Sequence, residues 1–279
     1  MRLGGSVLKE WKTAKEWIAL VKELGYNAVI FPVDCNAQEY LIRELRDRIH
    51  DEGWVIGEVG IWKNLMVKDS AERQRMMQYA VRQLELAEYV EANCCVNISG
   101  SFGSVWDGYH PDNYRQETRE LIISQTRTII DTVKPKKTYF ALEPMPWMLP
   151  DSPDSCLELI RDVDRSGFAV HLDFCNMINS LERYHRSEQL IDECFEKLGP
   201  YIRSIHIKDC KLDDCILPFS VAEKRVGEGS LDLSRVLRQA ECLNPDIPLF
   251  TEHLDHHEDY VYSTEYLKEL CKKCGIPLR

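Results

Sequence analysis

The sequence lacks the features that place a chain in or across a membrane. It contains no run of about 18 apolar residues, so no membrane-spanning helix is expected. Its opening residues, MRLGGSVLKEW, contain neither an apolar stretch nor a small-residue cleavage site, so no signal peptide is expected. The eleven cysteines are odd in number and irregularly spaced, which indicates free thiols and predicts a cytoplasmic location.

The chain is also poor in basic charge. It has 35 Lys and Arg against 46 Asp and Glu, a formal net charge of −11. A protein that binds the phosphate backbone of nucleic acid needs a concentrated basic face, so no nucleic-acid partner is predicted. The first strand–turn–helix unit lacks the glycine-rich fingerprint of dinucleotide-binding sheets, which makes a doubly wound open sheet the weaker of two fold hypotheses.

Short apolar runs alternate with longer amphipathic stretches through the whole sequence. The predicted strands are 2–8, 27–34, 54–62, 94–100, the run that ends at 143, 167–174, 202–209 and 247–254. The predicted helices are 13–25, 37–53, 70–93, 112–133, one beginning at SPDS (152–155), 186–198, 233–243 and 261–273. Eight such units predict a (β/α)₈ TIM barrel, α/β in class, with residues 1–279 as a single domain.

Four of the predicted strands end in a residue whose side chain is a common metal ligand, either a carboxylate or an imidazole. The fifth to eighth strands end in ALEPMPW with Glu143, VHLDFCN with Asp173, SIHIKD with His206 and LFTEHL with Glu252. In a barrel of this kind the chemistry lies at the C-terminal ends of the strands, so these side chains should converge there. Three carboxylates in one place repel each other unless a cation lies between them.

Each of these four residues also has an ordinary structural explanation. A single Glu or Asp at a strand end can cap a helix or form a salt bridge, and a single His can pack in the core. Their occurrence at four successive strand ends favours a shared ion instead. Carboxylate oxygens with one imidazole suit a hard divalent cation such as Mn²⁺ or Mg²⁺.

The order of these motifs resembles the xylose-isomerase-like TIM barrels, the sugar phosphate isomerase/epimerase family, over nearly the whole chain. The matching motifs are Glu143, the D-x-x-N of Asp173 and Asn176, the H-x-K-D of 206–209, the GEG of 227–229 and Glu252. The resemblance implies that Glu143, Asp173, His206 and Glu252 bind one divalent metal ion. It also implies Mn²⁺ as the first choice, with Mg²⁺, Co²⁺ or Zn²⁺ as alternatives.

The resemblance implies that the protein is a metal-dependent carbohydrate isomerase or epimerase. The ion would polarise the carbonyl of a bound sugar or sugar phosphate, and a carboxylate would remove the neighbouring proton to give a metal-bound enediolate. Glu143 and Glu252 are predicted to be the acid/base pair because two strands separate them. Asp173 and His206 are predicted to serve as ligands only.

Several other residues near the predicted strand ends are candidate substrate contacts. They are His171, Asn176, Lys208, Arg225, Trp62, Trp106 and Trp147. For the tryptophans, stacking on a sugar is weighed against burial under loops. For Arg225 the alternative is an ion pair with an acidic neighbour, and for His171 it is core packing. The cluster of His253, His256 and His257 indicates an exposed loop more than a second metal site.

Two other functions remain as alternatives. The same metal site could serve a dehydratase or lyase acting on a keto-inositol or a 3-keto-glycoside, since the first proton abstraction is shared. A non-catalytic sugar-binding barrel is a second alternative, and homo-oligomer formation stays open. The endonuclease branch of the same superfamily needs metal-binding histidines on the earlier strands. This chain has Glu58 and Asn97 there instead, so that function is not predicted.

Overall fold

The computed structural model of the chain describes all residues from 1 to 279 and contains ten strands. They are β1 (Arg2–Gly5), β2 (Ala28–Ile30), β3 (Val55–Gly60), β4 (Cys94–Asn97), β5 (Phe140–Leu142), β6 (Phe168–Leu172), β7 (Ile202–His206), β8 (Asp209–Asp213), β9 (Ser220–Lys224) and β10 (Pro248–Thr251). Eight of them pair in parallel in the order β1-β10-β7-β6-β5-β4-β3-β2. The predicted TIM barrel is therefore confirmed.

The barrel is nearly closed where β1 meets β2. No ladder joins these two strands, but the amide N–H of Asn27 donates to the Leu3 carbonyl at 3.0 Å. The side-chain oxygen of Asn27 in turn accepts from the Leu3 N–H at 2.7 Å. A single asparagine side chain therefore replaces part of the missing ladder.

Nine helices surround the barrel. They are α1 (Ala14–Leu24), α2 (Glu39–Asp51), α3 (Ser70–Val90), α4 (Gln116–Val133), α5 (Pro153–Val163), α6 (Leu181–His185), α7 (Ser187–Leu198), α8 (Leu233–Leu243) and α9 (His257–Cys274), with short 3₁₀ turns at Pro111–Tyr114 and Gly199–Tyr201. None of the helices combines the length and the apolar composition that crossing a bilayer requires. All eleven cysteines are free, as their spacing predicted.

Local sequence signals explain where the helices begin and which face they bury. In α5, Ser152 accepts from the Ser155 N–H while the Ser155 hydroxyl accepts from the Ser152 N–H, and Pro153 is the first helical residue. This capping box confirms the predicted start at SPDS. In α8 the buried residues follow the helical period and pack on the barrel: they are Leu233, Val236, Leu237 and Ala240.

The hydrophobic core lies mainly between the strands and the helices, in two large clusters. Inside the barrel, the ring of Phe250 fills the space beneath the C-terminal rim. A methyl group on Gly4 would lie 2.4 Å from this ring, and one on Gly57 would lie 2.5 Å from it. Because Phe250 and Glu252 are two residues apart, Glu252 lies on the same side of β10, above the aromatic ring.

Two parts of the fold differ from the sequence prediction. The region between β7 and α8 was predicted to be a loop, but residues 209–213 and 220–224 form the antiparallel hairpin β8–β9. Only Asp209 and Cys210 of its ten strand residues are buried, so the strands carry little of the hydrophobic alternation that identifies a half-buried strand. The short helix α6 was also missed, because five residues are too few to show a period.

Candidate active site

The four predicted ligand residues meet at one rim of the barrel. Glu143, Asp173 and Glu252 directly follow β5, β6 and β10, and His206 is the last residue of β7. One ligand atom from each lies within 4.8 Å of those of the others. The Nδ1 atom of His206 lies 2.9 Å from Glu252 Oε1, 3.5 Å from Glu143 Oε1 and 3.9 Å from Asp173 Oδ2. The predicted convergence of these side chains is therefore present.

This cluster fits a divalent cation. Three carboxylates and one imidazole, almost entirely removed from water, are the donor set of a hard or borderline ion. Asp173 Oδ2, Glu252 Oε1 and His206 Nδ1 are buried without a hydrogen bond of good geometry. Buried polar atoms normally have partners, and an ion between these ligand atoms, which lie within 4.8 Å of one another, would be a partner for all of them.

Lys208 supplies positive charge beside the carboxylates. Its buried ammonium lies 2.8 Å from Asp173 Oδ2 and also contacts Glu252 Oε1. Burial opposes protonation, but attraction to Asp173 and Glu252 outweighs it and raises the pKa of Lys208 well above its usual value. Burial likewise opposes ionisation of Glu252, and the charges of His206 and Lys208 hold its pKa well below the usual range.

Glu143 has a different environment from Glu252. Burial is the dominant influence and raises the pKa of Glu143 to about 7, although His206 acts in the opposite direction. The Asn176 side-chain amide donates to Glu143 Oε1 at 3.0 Å, and the Asn176 backbone N–H donates to Asp173 Oδ1 at 2.9 Å. The D-x-x-N motif therefore links two of the ligand residues and fixes the orientation of Glu143.

A second polar group lies deeper in the barrel, beneath His206. His171, a predicted substrate contact, is fully buried with its ring edge-on to that of His206 at a centroid distance of 4.0 Å. Its Nδ1 lies 3.3 Å from Glu58 Oε1. Burial, reinforced by repulsion from His206, lowers the pKa of His171 to about 4. Glu58 was not predicted to have a role at this site, although a glutamate inside an otherwise apolar strand is a visible signal.

The hairpin β8–β9 brings further charged groups to the rim. Glu223 on β9 lies 3.1 Å from His253 Nδ1 and 3.7 Å from Lys208 Nζ. The other ring nitrogen of His253 lies 3.6 Å from Glu252 Oε1. His253 adopts a left-handed backbone conformation with φ 55°, which is uncommon for a residue with a side chain. Glu223 was missed because the hairpin that carries it was not predicted.

The remaining predicted substrate contacts are distributed around the rim. Trp62 lines a cavity of about 410 Å³ next to the ends of β1–β3. Trp147 lines a second cavity, of about 370 Å³, together with Asn176 and Glu223. Trp106 lies half-buried in the loop after β4. For all three, a contact with substrate stays a prediction.

Arg225 is held by protein groups. Its guanidinium bonds Asp259 at 2.6 Å, contacts Glu228 and stacks on Tyr262 at 3.9 Å. These contacts correspond to the structural alternative given for this residue, and a contact with substrate stays a prediction.

Known proteins share the fold of this chain. The family model described as xylose isomerase-like TIM barrel matches residues 18–273. The chain belongs to this family. The resemblance noted in the sequence motifs is thereby confirmed.

One curated relative in this comparison is a dehydratase. It is a 3-dehydroshikimate dehydratase of Bacillus anthracis, 25% identical over 150 residues, which cover 54% of this chain and 49% of the relative. The matched region therefore spans about half the length of that protein.

Among solved structures, a xylose isomerase-like TIM barrel protein from Mycobacterium smegmatis in complex with magnesium has a TM-score of 0.68. It is 19% identical, over 94% of this chain and 90% of the other. A D-tagatose 3-epimerase-like protein has a TM-score of 0.71 and 18% identity, over 99% and 98% of the two chains. At these identities the likeness establishes the fold. These relatives therefore include a dehydratase and a protein described as epimerase-like.

Proposed function

We propose that this protein is a divalent-metal-dependent isomerase or epimerase acting on a keto sugar or its phosphate. One observation carries the proposal: the carboxylates that follow β5 and β10 approach the same His206 nitrogen, at 3.5 Å and 2.9 Å. Two further strands, β6 and β7, separate their origins in the barrel. A substrate bound between them would have Glu143 on one face and Glu252 on the other.

The four ligand residues would hold the ion, and we propose Mn²⁺ because three carboxylates with one imidazole suit an ion of its character. When bound, such a cation polarises a carbonyl and stabilises the negative charge that develops on its oxygen. The proton transfers belong to the protein. One glutamate removes the proton from the carbon next to the carbonyl, and the other returns a proton from the opposite face, which inverts that carbon. Return of the proton to the neighbouring carbon gives isomerisation.

The surroundings of the two glutamates support these roles. Asn176 fixes Glu143 by a hydrogen bond, and Lys208 lies against Glu252, so both carboxylates have defined positions. Lys208 also offers an ammonium group to a substrate hydroxyl or phosphate at the rim. At the same rim, the cavity that Trp62 lines at the ends of β1–β3 would offer aromatic surface to the C–H face of a sugar that extends from the metal site.

A dehydratase is the second candidate, and the Bacillus anthracis relative favours it. Proton abstraction next to the carbonyl would be the same, but the electron pair would then form a C=C bond and break the C–O bond of the next carbon, whose hydroxyl group would take a proton from one of the two glutamates, the protonated base included, and leave as water. Both reactions need a base, and only epimerisation needs a second proton donor on the opposite face. Mass analysis of the products from keto sugars, keto-inositols and 3-dehydroshikimate separates them, because dehydration removes one water and epimerisation leaves the mass unchanged.

Solvent-deuterium exchange tests the proposed acid/base pair. We expect Glu143→Gln and Glu252→Gln each to slow exchange into a keto substrate by about 10²–10⁴-fold, the usual contribution of a general acid or base. Glu88→Gln is the matched control, since this carboxylate accepts backbone N–H groups of residues 136–138 at the opposite end of β5. Exchange at the wild-type rate in both active-site variants would contradict the assignment. A wild-type protein that binds Mn²⁺ but exchanges none of these substrates would indicate the non-catalytic barrel.

A further inference from the structure

A buried glutamate on β3 lies directly beneath the proposed metal ligands. Glu58 has no exposed surface. Its Oε1 contacts the Ser204 hydroxyl, and its Oε2 lies 3.5 Å from His206 Nε2. A carboxylate is costly to bury unless other groups compensate its charge, so its position requires an explanation.

The two nitrogens of His206 have different surroundings. Nδ1 faces Glu143, Asp173 and Glu252, whereas Nε2 faces Glu58. A neutral imidazole that binds a cation through one nitrogen carries its proton on the other, and that N–H needs an acceptor. His206 Nε2 and Glu58 Oε2 are both buried without a hydrogen bond, and they lie 3.5 Å apart. Each is therefore the available partner of the other.

We propose that Glu58 is a positioning residue for His206. By accepting the proton on Nε2, its carboxylate keeps Nδ1 unprotonated and directed at the cation. The inference rests on the metal site of the proposed function, but it concerns a residue outside the ligand set.

Two neighbours hold this arrangement in place. Ser204 is two residues before His206 on β7, so both side chains lie on the same side of the strand. Its hydroxyl fixes Glu58 Oε1, which ties the carboxylate to the strand that carries the ligand. His171 packs edge-on against the His206 ring at an interplanar angle of 76° and restricts its rotation. Glu58 therefore restrains the Nε2 side of the His206 ring, and His171 restrains rotation of the ring.

A second ion is the competing explanation, because ligand atoms of Glu58, His171 and His206 also lie within 4.8 Å of one another. Two ions would require His206 to bind through both nitrogens and so to lose its last proton. The deeper group offers only one carboxylate to compensate a divalent charge. All three of its side chains are essentially unexposed. These facts favour one ion with a supporting carboxylate.

Titration of metal-free protein with Mn²⁺, followed by the electron paramagnetic resonance signal of the free ion, tests the inference. We expect the wild type to bind one ion per chain and Glu58→Gln to bind one ion about 10–100-fold more weakly, the usual effect of losing a partner of a metal-binding histidine. Glu88→Gln, which removes a structural carboxylate far from the rim, should bind like the wild type. Should Glu58→Gln not fold, Ser204→Ala is expected to weaken binding in the same direction.

A nuclear magnetic resonance measurement separates positioning from a general loss of structure. In magnesium-loaded protein labelled with ¹⁵N-histidine, the Nε2 proton of His206 should exchange slowly with water in the wild type and faster in Glu58→Gln. Equal Mn²⁺ affinity of the wild type and Glu58→Gln would overturn the role of Glu58 but leave the proposed function intact. Binding of two ions per wild-type chain would have the same consequence. A wild type that binds no Mn²⁺ would overturn the proposed function itself.

Discussion

Replacing Asp209 by Asn is expected to destabilise the connection between the active-site rim and the GEG loop. The Asp209 carboxylate is buried and accepts four backbone N–H groups. Oδ1 accepts from Cys210 at 2.9 Å and Leu231 at 3.1 Å, and Oδ2 accepts from Gly227 at 3.2 Å and Gly229 at 2.9 Å. A methyl group on Gly229 would lie 2.0 Å from Oδ1, so this close approach requires glycine there.

The size of the effect follows from the number of acceptors. Asparagine has one carbonyl oxygen, so two of the four N–H groups would face an amide NH₂ instead. Hydrogen bonds to charged groups contribute about 1.5–3 kcal/mol each, so the loss is about 3–6 kcal/mol if the loop does not relax. At about 2–4 °C per kcal/mol for a domain of this order of size, Tm should fall by about 6–24 °C.

Thermal unfolding at neutral pH, followed by circular dichroism, measures this shift. Asp232→Asn is the matched control, because Asp232 caps α8 through the Arg235 N–H and asparagine caps helices about equally well. We expect its Tm to stay within about 2 °C of the wild type, since little capping energy is lost. Equal shifts in the two variants would refute the reasoning that the four-donor geometry of Asp209 is special.

Three further predictions concern the metal site, the barrel interior and acid stability. Mn²⁺ at about 100 times its Kd should stabilise the protein by about 2.7 kcal/mol and raise Tm by roughly 5–10 °C in calorimetry, and Asp173→Asn should greatly reduce this gain. Gly57→Ala should cost about 1–3 kcal/mol in urea unfolding, because its methyl group would meet the Phe250 ring, and adding Phe250→Leu should recover part of that loss. A full Mn²⁺-dependent rise in Tm in Asp173→Asn would contradict the first explanation. Additive losses of unfolding free energy in the Gly57→Ala/Phe250→Leu double variant would contradict the second. In the folded protein the pKa of His171 is lowered from 6.5 to about 4. Between these pH values the unfolded chain binds more protons than the folded protein, so the free energy of unfolding falls as the pH drops from about 6.5 to about 4. Unfolding of His171→Gln between these pH values should depend less on pH than unfolding of the wild type, and an equal dependence would show that other groups are responsible.

The strand ends of the second half were predictable because they carry two signals at once. Buried strand formers precede Glu143, Asp173, His206 and Glu252, and each strand stops at or directly before the polar residue. In a parallel barrel all C-terminal strand ends lie at one rim, so the order of the motifs was enough to predict that these side chains meet. Lys208, two residues after His206, likewise reaches the ligand cluster and contacts Asp173 and Glu252.

The direction of the Glu58 side chain on β3 could not be predicted from the sequence. The register between β2 and β3 shifts by one residue, since Val29 pairs with Ile56 and Ile30 pairs with Glu58. Strict alternation would direct Gly57 and Glu58 to opposite faces. In the structure a methyl group on Gly57 would meet Phe250 inside the barrel, while Glu58 contacts residues of the same interior. The pairing partner, which lies outside the local sequence, decides this direction.

The sequence by itself determined the eight-unit barrel, the rim that carries the chemistry and the donor types at four strand ends, because periodicity and residue type are local properties. Tertiary structure alone decided that Asp209 binds the GEG loop, that the hairpin β8–β9 brings Glu223 to His253, and that the two nitrogens of His206 face different carboxylates. These contacts join residues that are distant in the chain, and their geometry depends on how the strands close into a barrel.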